Sequence, residues 1–376
     1  MDKSSLIGAA VGGLFAAGAL VTASLSSLSP GPKESKHAYT DRTPARQSYS
    51  SRREQLKHVA DRALETIKRG RYPYHDKTID LDDALKEMCH QTSVYWEDNL
   101  ELQNWKERQG QPSSEVASAT VSVLNISTLD AARLLHNSFR FAFAPGVAPV
   151  IGVLNFASAT KPGGGFKNGA EAQEESIARV STLSCSLNVK EARKFYELHN
   201  KEKRREVEGA SFYTHTMIYS PSVVVFLNDE ASYVDAYKID VVSCAAVNAK
   251  EIVNPKANSA QTAGMRAEID KVMFERMGRI LRLLEIRGIR NIILGTFGTG
   301  VFKNEIATIA RHWANLLTAE DARFKYSFDR VIFAVLGSDN FGEFHNAFEG
   351  YSRPSRKGKE SPKKGGMLRI GSTSRK

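Results

Sequence analysis

Two adjacent carboxylates, Glu174 and Glu175, follow three consecutive glycines, Gly163, Gly164 and Gly165, with Gln173 just before the pair. Carboxyl groups protonate leaving oxygens and activate water. Glycines carry no Cβ, so a bulky group can lie directly on their backbone. Asn155 lies shortly upstream and adds a polar side chain that can hold a hydroxyl.

These residues need elements to position them. The run Val150 to Leu154 is apolar and β-branched and predicts a buried strand that ends at Asn155. The glycine loop follows. A helix then starts near Glu171, with Ile177, Val180, Leu183 and Leu187 as its apolar face. Open α/β sheets bind ligands at such strand–loop–helix units. The same residues also suit a tight turn whose acids complement a helix dipole, and the stretch alone leaves both readings open. A second unit has the same plan. Ile292–Leu294 feeds GTFGTGVFKN, residues 295–304, which feeds a helix. Free N–H groups at a helix N-terminus bind anions, so this loop, 295–304, is a candidate phosphate site. The loop is neither a P-loop nor GxGxxG. Phe297 and Phe302 suit the core, or, beside a phosphate loop, a base to stack on.

Around these units, strand and helix alternate from Ala119 onward. Strands are expected at 119–126, 222–227, 239–243, 291–294 and 330–336. Helices are expected at 129–138 after a Thr128 cap, 189–208, 261–286 and 303–317. This predicts an α/β fold with a mixed sheet sandwiched by helices. Two helices precede it, 53–69 and one opening at Asp80. Trp96 to Ser114 reads as loop.

The net charge of +10 is concentrated outside this body. Residues 353–376 hold nine Lys/Arg against one Glu, and residues 33–57 seven against three, which leaves 58–352 slightly acidic. The tails are either solvated or drawn to a polyanion or an anionic membrane. Three scattered cysteines with no CxxC pair support neither a disulfide framework nor a structural zinc site, and fit a reducing compartment. Leu6 to Ala23 is uncharged and long enough to span a bilayer, with basic residues after it. An anchor, a targeting peptide and a disordered leader all fit. The expected divisions are 1–32, candidate membrane anchor or targeting segment; 33–52, basic disordered linker; 53–118, helical accessory region; 119–350, catalytic domain; and 351–376, basic disordered tail.

The two glycine stretches together resemble the poly(ADP-ribose) glycohydrolases of the shorter bacterial and fungal type. That family is marked by three glycines, a short spacer and Gln-Glu-Glu. Here seven residues separate Gly165 from Gln173. NFASATKPGGGF and GTFGTGVFKN match the family's ribose and diphosphate loops, and the resemblance spans roughly 53–345. It implies a macrodomain-like fold that binds ADP-ribose and cleaves ribose–ribose bonds without metal or cofactor. By position, Glu175 is similar to the catalytic acid/base, and Glu174 to the partner holding the ribose hydroxyls. Asn155, Gln173 and Gly163–Gly165 fall at the family's ribose side. Gly298–Val301 would cradle the diphosphate and Phe302 would stack on adenine. Val247 stands where the family usually has Pro before Asn248, which leaves that residue's contact open. Glycosidases mostly flank the bond with two opposed carboxyls. Helix neighbours diverge by about 100°, so here one group must act twice.

The partners this implies are poly(ADP-ribose) or ADP-ribose and ADP-ribosylated proteins, with no sequence-specific nucleic-acid binding. A membrane contact through 6–23 would leave the catalytic domain facing the cytosol; mitochondrial, soluble cytoplasmic or nuclear placement are the alternatives. A hydrolase of mono-ADP-ribosylated protein or of free ADP-ribose derivatives, and a non-catalytic membrane-tethered ADP-ribose reader, stay open as functions.

Overall fold

The computed structural model describes residues 45–352 apart from 108–116, 145–146, 206, 208 and 255. The leader 6–23, the linker up to Pro44 and the tail from Arg353 lie outside the described residues. Among the described residues no helix is long and apolar enough to cross a membrane.

Helix α1 (Ala45–Arg69) starts inside the stretch expected to be linker and buries Leu56, Val59, Ala60 and Ala63 along one side. A hairpin follows, β1 (Arg71–Tyr74) and β2 (Lys77–Asp80), then α2 (Asp82–Gln91), β3 (Ser93–Tyr95) and α3 (Leu100–Gln103). The body continues with β4 (Thr120–Leu124), α4 (Thr128–Ala142), β5 (Ile151–Phe156), α5 (Gln173–Val180), α6 (Leu183–Ser186) and α7 (Lys190–Arg204). It closes with β6 (Met217–Leu227), β7 (Tyr233–Cys244), α8 (Ala249–Ile252), α9 (Ser259–Ile286), β8 (Asn291–Leu294), α10 (Ile306–Leu317), β9 (Arg330–Ala334) and α11 (Ser338–Ser352).

Among the described residues, seven strands form one mixed sheet in the order β3-β6-β7-β5-β8-β9-β4. The β3–β6 and β6–β7 pairs are antiparallel, and every pairing from β7 to β4 is parallel. Side chains alternate across the pleat. Leu154, Val242, Ile292 and Phe333 therefore join one core with Met277, Leu281 and Trp313, while Val153, Val241, Ile293 and Ile332 join another with Ile177, Leu183 and Phe195. Helices cover both faces, as the parallel part of the sheet requires.

The accessory region is more than helical. Its β3 is an edge strand of the main sheet, and Trp105 is buried against α9, where a Cβ on Gly278 would meet its ring at 2.5 Å. The cap of α4 is Ser127 rather than Thr128: its side chain accepts from the Asp130 amide at 3.0 Å.

Candidate active site

Strands β5 and β8 are parallel neighbours, so the two glycine loops leave the sheet at the same end. That adjacency brings the two sequence motifs together. The first loop runs from Ala157 to Ala172 and returns into α5.

Gln173, expected at the ligand, spends its amide on the protein. Its Nε2 donates to the Leu154 carbonyl at 2.8 Å and to Thr128 Oγ1 at 3.2 Å, while its Oε1 accepts from the Phe156 amide at 2.9 Å. It staples the start of α5 to the end of β5. Asn155 is fully buried; its Nδ2 donates to Ser243 Oγ at 2.9 Å and reaches Glu174 Oε1 at 3.4 Å. In this arrangement Asn155 acts on Glu174.

The two carboxyls have different environments. Glu174 is only 2% exposed and accepts the Ser158 amide at 2.7 Å. Burial pushes its carboxyl up to about 8; the Ser158 amide works against that rise and the like charge of Glu175 adds to it. Glu175 is half-buried, and its Oε1 accepts the Gly165 amide at 2.8 Å. The glycine loop presses on both. Gly164 has φ +59, and a Cβ there would sit 2.8 Å from Glu175 Cδ and 3.1 Å from Glu174 Oε2. Tyr196 of α7 was not foreseen. Its hydroxyl is buried, and burial and then the charge of Glu174 push it well above the ordinary phenol range.

The second loop has its own staple, also missed from sequence. Asn304 Nδ2 donates to the Val247 carbonyl at 2.8 Å and to the Gly298 carbonyl at 3.0 Å. A Cβ on Gly298 would lie 2.7 Å from that Nδ2. Thr299 folds its hydroxyl back on the Thr296 carbonyl at 3.1 Å. Gly300 and Val301 stand exposed at the tip, with nothing within 4 Å of a Cβ on Gly300. Phe297 is a core residue, 5.8 Å from the Phe156 ring. Phe302 is half-buried and lies 5.9 Å from the ring of Tyr213, a residue held at φ +51. The fully buried Arg276 fixes that turn by donating to the carbonyls of Phe212 and Tyr213, each at 2.9 Å, and of Ala245 at 2.8 Å. Asn248 is buried beside it, its amide donating to the Ser211 carbonyl at 2.9 Å. Val247, in place of Pro, is fully buried, so packing rather than a ring stiffens the turn.

A half-buried carboxyl beside a buried one, with two glycine loops at the same end of the sheet, can serve acid/base chemistry on a bound ligand. Known proteins agree. Residues 60–228 match the family described as microbial-type PARG, catalytic domain. The poly(ADP-ribose) glycohydrolase of Thermomonospora curvata is 30% identical, with a TM-score of 0.67 over 79% of this chain and 99% of that one. The same enzyme bound to the inhibitor ADP-HPD gives 0.64 at 29% identity, over 79% of this chain and 99% of that one. The Deinococcus radiodurans enzyme in complex with ADP-ribose gives 0.59 at 28% identity, over 71% of this chain and 97% of that one. No curated protein sequence matches. The chain belongs to the microbial-type poly(ADP-ribose) glycohydrolases, a family of glycosidases.

Proposed function

We propose that this protein hydrolyses the ribose–ribose O-glycosidic bonds of poly(ADP-ribose), releasing ADP-ribose, with Glu175 as the single acid/base. The observation that carries the assignment is the contrast within the pair. Glu174 is buried, with its oxygens held by Ser158 and Asn155, whereas Glu175 is half-buried and aimed by the Gly165 amide. A half-buried carboxyl can exchange its proton with solvent water between the two steps of the reaction.

Glu175 gives a proton to the bridging ribose oxygen as the bond from that oxygen to the anomeric carbon breaks. An oxocarbenium-like ion forms. Water adds to the anomeric carbon, and Glu175 takes the released proton back. Glu174, kept protonated up to about pH 8, holds the ribose hydroxyls and is itself held by Asn155 and the Ser158 amide. Gly298 to Val301 bed the diphosphate, and Phe302, backed by Tyr213, stacks on the adenine. The Deinococcus radiodurans enzyme's complex with ADP-ribose supports that choice of ligand. ADP-ribosylated proteins enter as carriers of the polymer. The uncharged leader 6–23, followed by basic residues, tethers this body to a membrane.

The test is Glu175→Gln, which keeps shape but cannot cycle a proton. Removing a general acid/base costs about a hundred- to ten-thousand-fold, and one that serves two steps belongs at the upper end. ADP-ribose affinity should stay near wild type. Polymer turnover at the wild-type rate would remove catalysis from this helix.

A further inference from the structure

The returning leg of the catalytic loop is gripped from two sides by guanidinium groups. From α1, Arg53 Nε donates to the Asn168 carbonyl at 2.8 Å. From α5, one turn beyond Glu175, Arg179 Nη1 donates to the Ala170 carbonyl at 2.8 Å. Between these carbonyls lies Gly169, at φ +71, seated so closely under α1 that a Cβ would lie 2.8 Å from Arg53 Cγ and nearer still to the Arg53 carbonyl oxygen. Arg52 adds an exposed pair with Glu171 at 3.1 Å. Beneath them Ala60 of α1 packs with Phe166 and Ala178.

Arg179 is the costly member. It is 3% exposed, burial works against its charge, and its Nε lies buried without a hydrogen-bond partner. A cation in that state lowers stability unless something else requires it. The gripped leg leads directly to the chemistry. The amides of Asn168 and Ala170 donate to the Gly165 carbonyl at 2.9 and 3.4 Å, and the Gly165 amide is the group that aims Glu175.

We infer that Arg53 and Arg179 are positioning residues for the glycosidase reaction, setting the Gly165 amide on Glu175 by clamping the carbonyls on either side of Gly169. Helix α1 is thereby part of the catalytic apparatus. The inference rests on the proposed role of Glu175. A misplacement of about 1 Å costs up to about a hundred-fold in rate. The Gly298 loop is held separately by Asn304, so loss of the clamp falls on kcat more than on ligand affinity.

The experiment uses the full chain with Arg53→Met, Arg53→Lys and Arg179→Met, the last matching the volume of the stem without the charge. Measured together are kcat and KM on poly(ADP-ribose), the Kd for ADP-ribose, Tm, and amide hydrogen exchange of the peptide 163–175. The expected result is a roughly ten-fold fall in kcat for each Met variant with Kd within about three-fold, and partial recovery in Arg53→Lys. Exchange in 163–175 should be faster, and Tm for Arg179→Met unchanged or higher despite the lost activity. Wild-type kcat and wild-type exchange in Arg53→Met, whose side chain is exposed and whose folding is not at stake, overturn the clamp. So does a kcat loss in Arg179→Met that only tracks a fallen Tm, with no change in Arg53→Met. If wild-type protein binds ADP-ribose and releases none from polymer, the functional reading fails. The clamp then stands or falls on the exchange data alone.

Discussion

Gly164→Ala is the sharpest probe of the site. The added Cβ would sit 2.8 Å from Glu175 Cδ, where carbon atoms ordinarily rest about 3.5–4.0 Å apart. The carboxyl must retreat by about 1 Å or the loop must lift. Either movement breaks the 2.8 Å bond from the Gly165 amide. The residue also has φ +59, where a side chain costs about 1–2 kcal/mol. That strain lowers Tm by a few degrees, at about 2–4 °C per kcal/mol for a domain of this size. The displacement lowers kcat by about a hundred-fold, near 2.7 kcal/mol at 1.36 kcal/mol per decade. Initial rates of ADP-ribose release from polymer, read beside a thermal melt, separate the two effects. A folded variant whose kcat stays within three-fold of wild type refutes the packing argument.

Three other outcomes are expected. Gly300→Glu meets open space, so the fold and Tm should be untouched while calorimetric ADP-ribose binding is lost to charge repulsion at the diphosphate bed; retained binding would move the diphosphate elsewhere. Glu174 has its folded value raised to about 8 from an ordinary 4.5, so it stabilises fully below about pH 4.5 and that stability is lost as pH rises through 8. Glu174→Gln should therefore flatten the fall of Tm between pH 5 and 8, and an unchanged slope would show that the carboxyl titrates normally. Full-length protein should resist alkaline carbonate extraction from cell membranes if 6–23 spans the bilayer; quantitative release counts against the anchor.

Local pattern carried much of the fold into view. The expected bounds of β8 match those found, and the centres of β5, β9, α9 and α10 lie where expected, because each is an apolar run long enough to set its own period. Strands β6 and β7 were legible only in part. Ser220, Pro221 and Ser222 interrupt β6 with a register shift and a φ of +52 at Ser222, yet the strand runs through them because β7 continues alongside. The hairpin β1–β2 and edge strand β3 are three or four residues each and exist through their partners. Helix α11 was missed because Gly342 and Gly350 dilute its pattern, although Phe344 and Phe348 anchor it. At the site, residue types announced the carboxyls and both loops. The bracing contacts around them did not show in sequence. That Gln173 staples a strand to a helix, that Asn155 braces Glu174, and that Asn304 and Arg276 hold the second loop and its wall all depend on contacts between distant segments.

The sheet's two borders come from one short span of chain. Strand β3 pairs with β6 at one edge, and β4 pairs with β9 at the other, although only residues 96–119 separate β3 from β4. Six strand spacings of about 4.8 Å lie between those edges, so this connection must traverse close to 30 Å of finished sheet. During synthesis β4 leaves the ribosome some two hundred residues before its neighbour β9. It waits unpaired until Arg330–Ala334 emerges, whereas β5 has both its partners, β7 and β8, once Asn291–Leu294 is made. Contacts this distant in sequence form slowly. A transcript cut short before residue 330 would yield a chain with the first glycine loop and both carboxyls encoded, and an outer strand with no partner to close against.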